Sequence, residues 1–336
     1  MKPETLAADK RPAQPGPRRA RPSSDGGGAA GRRRNRRRTL MTITLFLLPA
    51  LVLFVLLVLA PILLAAYASV FKWNGFGGLP TNFIGLDNFT RMFEDPVFLG
   101  DLWRGLILIV LSLVVQLPLA LGLALLLNQP MRGRAFYRLL FFAPYVLSEV
   151  ITAVLFTMFF SPERGLANEM LSMIGLEELS STWLSDPSSV MYSVFIVMTW
   201  KYFGFHMILY LAGRQGIPNE LIEAAQLDGA TGWKVFRHVT LPLLGPTIRI
   251  SAFLSIIGAI QLFDLVWVLT EGGPIHSSET MAITMFTFGF GRYQVGYASA
   301  ISVVMFLISL VFALGYQRFV LRRDTEGAIT GMRDQR

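Results

Sequence analysis

The sequence predicts an all-α polytopic membrane protein of six transmembrane helices, with a polar, patterned loop between the fourth and fifth. Three observations carry this. Of 336 residues, 53% are hydrophobic and only 15% charged, far more apolar than an ordinary soluble domain, and the apolar residues are bunched into long runs. Six runs are suited to crossing about 30 Å of hydrocarbon, which takes roughly 20 residues: 43–70, 105–127, 139–160, 190–213, 247–269 and 297–317. Lys and Arg gather in alternate connections, 12 in residues 1–42, 3 in 128–138, 4 in 214–249 and 5 in 318–336, against 3, 1 and 1 in the intervening loops. Basic residues mark the inner side, so both termini and the 214–249 loop are expected to be cytoplasmic.

The first 40 residues form a separate, basic unit containing PAQPGPRRARP, DGGGAAG and RRRNRRR, without the apolar content to pack, and are expected to be a disordered cytoplasmic leader. Directly before a span, the run 32–38 reads as a topology anchor touching anionic lipid rather than as a nucleic-acid site. The apolar run that follows is too long for a signal-peptide core and lacks a small-residue cleavage site. It contains Pro49 and Pro61, so its ends are expected to bend or to lie at the interface. The loop 161–189 carries Glu163, Glu169, Glu177, Glu178 and Asp186 against Arg164 alone, in keeping with an outer position. The piece 281–290 is too short to span and reads as an interfacial or re-entrant helix on the outer side. Residues 321–336 are expected to be a cytoplasmic tail.

Composition also excludes chemistry. There is no cysteine, hence no disulfide, thiolate metal site or cysteine nucleophile. His206, His238 and His276 fall in a span, in the cytoplasmic loop and on the outer side, so they cannot converge on one metal. No GxxxxGK[ST] phosphate cradle occurs, so any ATP hydrolysis must come from another polypeptide.

The most specific segment is 217–246, IPNELIEAAQLDGATGWKVFRHVTLPLLGP, too polar for hydrocarbon and too patterned for a passive connection. Pro218 suits a helix start and Gly229 a left-handed stop, which predicts a short helix over 218–228. Leu221, Ile222 and Ala225 fall on one side of it, and Ala224 with Ala225 keeps its surface low enough for close approach. In a second helix Trp233, Phe236 and Val239 recur every third residue while Lys234, Arg237 and His238 occupy another face. Leu241 and Pro242 are expected to close the segment.

This loop resembles that of the membrane subunits of binding-protein-dependent ABC importers: Glu-Ala-Ala, three residues, Gly, nine residues, Ile, one residue, Leu-Pro. Here Glu223, Ala224 and Ala225 are followed by Gly229, Val239, Leu241 and Pro242, with Val for Ile as the one departure. The resemblance covers about residues 43–320, including FFAPYVLSEV, WKYFGFHMILYLAGRQGIP and FDLVWVLTEGGP, and is to the maltose and glycerol-phosphate branch in its six-span form. It implies the type I ABC importer permease fold over 41–320, with a coupling loop at 214–245 in which Glu223, Ala224, Ala225, Leu227, Asp228, Gly229, Leu241 and Pro242 meet an ATPase. It further implies a second homologous permease, two ATP-binding subunits that hold the ATP and Mg, an extracytoplasmic solute-binding protein, a sugar cargo and an inner-membrane location. By the same resemblance no cofactor is bound by this chain and it is not itself an enzyme.

Polar residues within spans cost at least a few kcal/mol at the bilayer centre unless they face protein or water. Glu149 is placed midway along the third span, Lys201 midway along the fourth, and Gln261 and Asp264 toward the outer half of the fifth. They are candidates for a sugar pathway in which Trp200, Tyr202, Phe263 and Trp267 stack on a pyranose face. The competing reading is that Glu149 and Lys201 neutralise one another or pair with a second subunit, the aromatics merely packing. Two other functions compete with this reading: an ion-coupled transporter using Glu149 and Asp264, and a membrane enzyme, for which no catalytic set is visible in the sequence.

Overall fold

With no water in hydrocarbon to satisfy the backbone, long apolar runs close their hydrogen bonds within each segment, as helices. The computed structural model describes the backbone of residues 29–321 and the side chains of residues 41–321. The leader before residue 29 and the tail beyond residue 321 lie outside the described residues. In chain order the helices are α1 (Met41–Ala68), α2 (Asp87–Glu94), α3 (Pro96–Asn128), α4 (Arg134–Val146), α5 (Glu149–Phe159), α6 (Leu166–Met173) and α7 (Val190–Gln215). There follow α8 (Asn219–Leu227), α9 (Gly232–Leu243), α10 (Gly245–Ile260), α11 (Asp264–Thr270), α12 (Met281–Gly291) and α13 (Val295–Leu321). Of these α1, α3, α7 and α13 are each long and apolar enough to cross a membrane, and the bent pairs α4/α5 and α9/α10 bring the number of crossings to as many as six.

The chain divides into two units, Met1–Ala60 and Pro61–Arg336. In the first, side chains 41–60 are exposed around the whole circumference of α1, as a lipid-facing run requires. Helical backbone begins upstream at Ala29, inside the leader for which composition predicts disorder. Arginine is a good helix former, so the basic run can continue the apolar helix upstream.

Proline does not end helices where the sequence suggested it would. Pro61, Pro118 and Pro242 each lie two residues beyond a π-turn, at Val55–Leu59, Ser112–Gln116 and Phe236–Thr240 respectively. A helical proline lacks a donor and its ring meets the carbonyl four residues earlier. Those carbonyls belong to Leu57, Val114 and His238, all inside the widened turns, which absorb the conflict without a break. So α1 passes through Pro49 and Pro61 unbroken, and Leu241–Pro242 does not close the loop segment: α9 runs on to Leu243 before a 65° bend.

Two expected straight spans are broken instead. The third separates at Leu147 and Ser148 into α4 and α5, which meet at 98°. Ser148 followed by Glu149 is a helix-start signal embedded in an apolar run. The fifth stops at Ile260 and resumes at Asp264, leaving α10, at 16 residues, too short for a crossing of about 30 Å. Thr280 answers that second break, its hydroxyl donating to the freed carbonyl of Leu262 at 2.9 Å. The second span starts earlier than expected, at Pro96, which brings Asp101 and Arg104 into α3.

In the second unit α7 is the central helix, packed against α3 and α4. Ala120 and Ala124 on α3 are fully buried against Met207, Tyr210 and Leu211, small residues letting two backbones approach. On the α4 side Gly204 performs the same service: a Cβ there would lie 1.9 Å from the Phe141 carbonyl oxygen. A larger core joins Leu108 of α3, Ala153 of α5, Val194 and Val197 of α7 and Leu265 and Val266 of α11.

Candidate functional site

Two regions carry the candidate residues. The first is the projecting loop. Pro218 occupies the N-cap position of α8 with φ −56° and ψ 133°, one residue before the helix proper. At the other end Gly229 is left-handed, φ +82°. Its N–H donates to Gln226 at 3.0 Å and that of Ala230 to Ala225 at 2.9 Å, a Schellman closure that satisfies the last carbonyls. The short helix is therefore self-contained and needs no neighbour to define its ends.

Its faces are unequal. Ile222 and Ala225 are half-buried; Gln226 and Ile222 border a cavity of about 760 Å³ shared with Leu121 and Leu125 of α3 and with Phe236. Glu223, Ala224, Asp228 and Gly229 are exposed, and Leu227 projects with 89% of its surface accessible. Leu221, which by spacing falls on the same side of the helix as Ile222, is also exposed. In α9 the π-turn rotates the pattern: Val235 and Thr240 turn inward, Phe236 and Val239 are half-buried and Trp233 is exposed beside Phe236, ring centroids 5.2 Å apart. Lys234, Arg237 and His238 are exposed as expected; Leu241 is half-buried and Pro242 exposed.

The second region lies between α3, α4, α7 and α10, where a cavity of about 240 Å³ is bordered by Ser112, Gln116, Tyr145, Tyr202, His206 and Ser255 among others. Of the eight candidate pathway residues only Tyr202 borders it. The hydroxyl of Tyr202 donates to Glu149 behind the cavity. Lys201, 3% exposed, donates instead to the Leu147 carbonyl at 2.6 Å, and among the described residues it makes no ion pair with Glu149.

The two charges thus answer the two ends of a broken helix. Leu147 is the C-cap of α4, where carbonyls are orphaned and the dipole is negative; Glu149 sits in the first turn of α5, where it is positive. The remaining candidates are dispersed. Trp200 packs edge-on against Phe156, 5.1 Å away, beside a separate cavity bordered by Arg164. Phe263 and Trp267 stack at 5.9 Å and both touch Phe286, while Gln261 and Asp264 are exposed at the break between α10 and α11.

What sequence reasoning passed over are Ser112, Gln116, Tyr145, His206 and Ser255. The signal existed: between residues 105 and 127 Ser112 and Gln116 are the only polar side chains, four apart and just before a proline. His206 is held by a 2.7 Å contact between Nδ1 and the Ser251 hydroxyl. A second polar cluster lies near the opposite end of α3 from the loop. There Arg104 donates to Asp101 at 2.6 Å and to the Glu279 carbonyl at 2.8 Å, and Thr284 bonds both the Asp101 and Glu279 carboxylates.

Residues 116–324, which take in the loop and all the cavity-bordering residues named above except Ser112, match the family described as the binding-protein-dependent transport system inner membrane component. The chain belongs to this family. It is 34% identical over 280 residues to the sulfoquinovosyl glycerol transport system permease protein of Agrobacterium fabrum (strain C58), covering 83% of this chain and 90% of that one. It is 34% identical over 274 residues to the diacetylchitobiose uptake system permease protein of Streptomyces coelicolor, covering 78% and 77%. The crystal structure of a bacterial ABC transporter involved in the import of the acidic polysaccharide alginate contains a chain that superposes with a TM-score of 0.76 at 26% identity, covering 87% of this chain and 99% of that one. The protein is a multi-pass, all-α permease of an ABC importer for sugars. Family membership sets aside the ion-coupled and enzymatic alternatives.

Proposed function

We propose that this permease pairs with a second, homologous one to line a carbohydrate pathway, most simply for a di- or oligosaccharide, and that α8 transmits the work of two cytoplasmic ATPase subunits to it. In this arrangement both termini and the loop face the cytoplasm, an outer binding protein delivers the sugar, and ATP and Mg are held by the ATPase subunits, none by this chain. The observation that carries the reading is the Leu227 side chain, 89% exposed at the tip of a helix whose own carbonyls are already closed. An apolar knob on a rigid stub, flanked by Glu223, Ala224 and Asp228, has the form of a foot that seats in a groove. Because α8 joins the end of α7 to α9 and α10, a push on it reaches the helices bordering the cavity.

The test is coupling in the reconstituted importer. Leu227→Asp places a charge in the seat, and Gly229→Arg forces a left-handed residue to carry a side chain and adds charge beside it. Both variants are expected to reach the membrane in normal amounts while sugar uptake falls at least tenfold relative to ATP hydrolysis. Normal uptake in both would remove α8 from the coupling path.

A further inference from the structure

We propose that Asp101 and Glu279 hold one proton between them across the hydroxyl of Thr284, and that this proton latches the 271–280 connection to α3. Its release at alkaline pH frees the connection. The site is separate from the cavity and from α8. Only the side from which the proton arrives, the outer one, rests on the reading above that places the loop in the cytoplasm.

The contacts at Thr284 are one hydrogen short if both acids are ionised. Its hydroxyl oxygen meets two carboxyl oxygens, Oδ2 of Asp101 and Oε1 of Glu279, the second at 2.9 Å. A threonine hydroxyl has one hydrogen to give and otherwise only accepts, and an ionised carboxylate only accepts. With both acids ionised, one of the two contacts would set lone pairs against lone pairs. One acid therefore carries the missing hydrogen and donates it to Thr284, which donates its own to the other acid. The outward oxygens of the pair do not change this count. Asp101 Oδ1 accepts from Nη2 of Arg104 at 2.6 Å, and Glu279 Oε2 meets Nδ1 of His276.

Burial and charge agree with the count. The side chains of Asp101 and Glu279 are 0% and 7% exposed, and two carboxyl groups sharing a site out of water do not both ionise. With one proton on the pair, the guanidinium of Arg104 balances the single negative charge that remains. From the neighbouring elements, α12 brings Thr284 and no charged side chain, and the one charged residue of α10, Arg249, lies near its loop end. In α7, Lys201 is committed to the Leu147 carbonyl. Arg91 bonds Gln294 at 2.8 Å and lies 4.3 Å over the Tyr297 ring, whose hydroxyl donates to Asp95 at 3.3 Å, an adjacent set with its own partners. His276, half-exposed, opens the pair to water. Ser278 ties the connection to itself through Thr270 and the Gly273 carbonyl, and Thr280 ties it to the break at Leu262. Its hold on α3 runs through Arg104, which donates to the Glu279 carbonyl at 2.8 Å, and through the proton-sharing pair. Loss of the proton leaves two buried anions against one hydroxyl, and their repulsion opens that hold.

The experiment is infrared difference spectroscopy of the complete importer in nanodiscs during an alkaline titration, paired with hydrogen exchange of the same samples. Wild type is expected to show the carbonyl stretch of one protonated carboxyl group at neutral pH, disappearing as pH rises. That band should be missing from both Asp101→Asn and Glu279→Gln, because either amide supplies the hydrogen that Thr284 lacks. Glu271→Gln, in the same connection but exposed, should keep it. As the band disappears, amides 271–280 should lose protection about tenfold in wild type, after correction for intrinsic exchange, and stay protected in Glu279→Gln. A wild type without a titrating band, or a band that survives both substitutions, would overturn the shared proton. Protection of 271–280 indifferent to the loss of the band would overturn the latch. Neither readout involves uptake, so both stand apart from the coupling test of α8.

Discussion

The ammonium of Lys201 donates to the backbone carbonyl of Leu147 at 2.6 Å, so a charge from the fourth span caps the helix end exposed where the third span breaks. A cation at a helix C-terminus contributes up to about 2 kcal/mol in partly buried settings. Removing it also leaves a carbonyl short of a partner. Lys201→Met is therefore expected to lower stability by about 2–3 kcal/mol, read as a reduced melting temperature of the detergent-solubilised protein. Tyr202→Phe, which removes only one bond to Glu149, should cost about 1 kcal/mol. Equal melting temperatures for wild type and Lys201→Met would mean the break is held by something else.

The cluster near the start of α3 gives a separate prediction. Asp101 is 1% exposed and depends on Arg104, which also fastens α3 to the segment preceding α12 through the Glu279 carbonyl. Arg104→Met strands a buried carboxylate and should destabilise by about 3–5 kcal/mol. Adding Asp101→Asn should recover part of that loss, since the uncompensated charge is gone. A double-mutant cycle by thermal unfolding checks this, and strict additivity would show that the pair is not coupled.

How much was legible in the sequence follows from these residues. Length, hydropathy and the basic loops were sufficient for an all-helical, multi-span architecture, and Pro218 with Gly229 located α8 to within about a residue. The breaks were not read, because Ser148–Glu149 and Gln261–Phe263 interrupt runs whose average hydropathy stays high. Prolines misled in the other direction, since a π-turn two residues earlier is a tertiary accommodation that no local propensity records. Among pathway candidates, charge and aromaticity drew attention to Lys201 and Trp267, which serve a helix end and a stacked cluster. The quieter Ser112 and Gln116 border the cavity.

The turn before α7 provides a pH dependence. Asp186 accepts from the Ser188 backbone N–H at 2.9 Å and from its hydroxyl at 2.8 Å, and these bonds hold its carboxyl below the usual carboxylate range. A lowered folded value means that the turn is favoured above the unfolded value of about 3.9 and loses that contribution as pH falls through the folded one. In wild type, amides 186–193 should accordingly lose exchange protection as pH falls through that value, after correction for intrinsic exchange, whereas Asp186→Asn, which has no carboxyl to protonate, should be less protected at neutral pH and show no such loss. Identical pH profiles would contradict the assignment.

The central claim, that α8 is seated in an ATPase subunit, can be measured directly because the chain contains no cysteine. Leu227→Cys introduces a single thiol at the tip of α8, and a short bifunctional crosslinker can be applied to the assembled importer carrying cysteines along the candidate groove of the ATPase. The account predicts a crosslink from Leu227→Cys, altered by ATP, and none from a control thiol at Ile275, in the connection between α11 and α12. A Leu227→Cys thiol that stays fully open to a bulky maleimide in the assembled complex, with no crosslink in any nucleotide state, would contradict it.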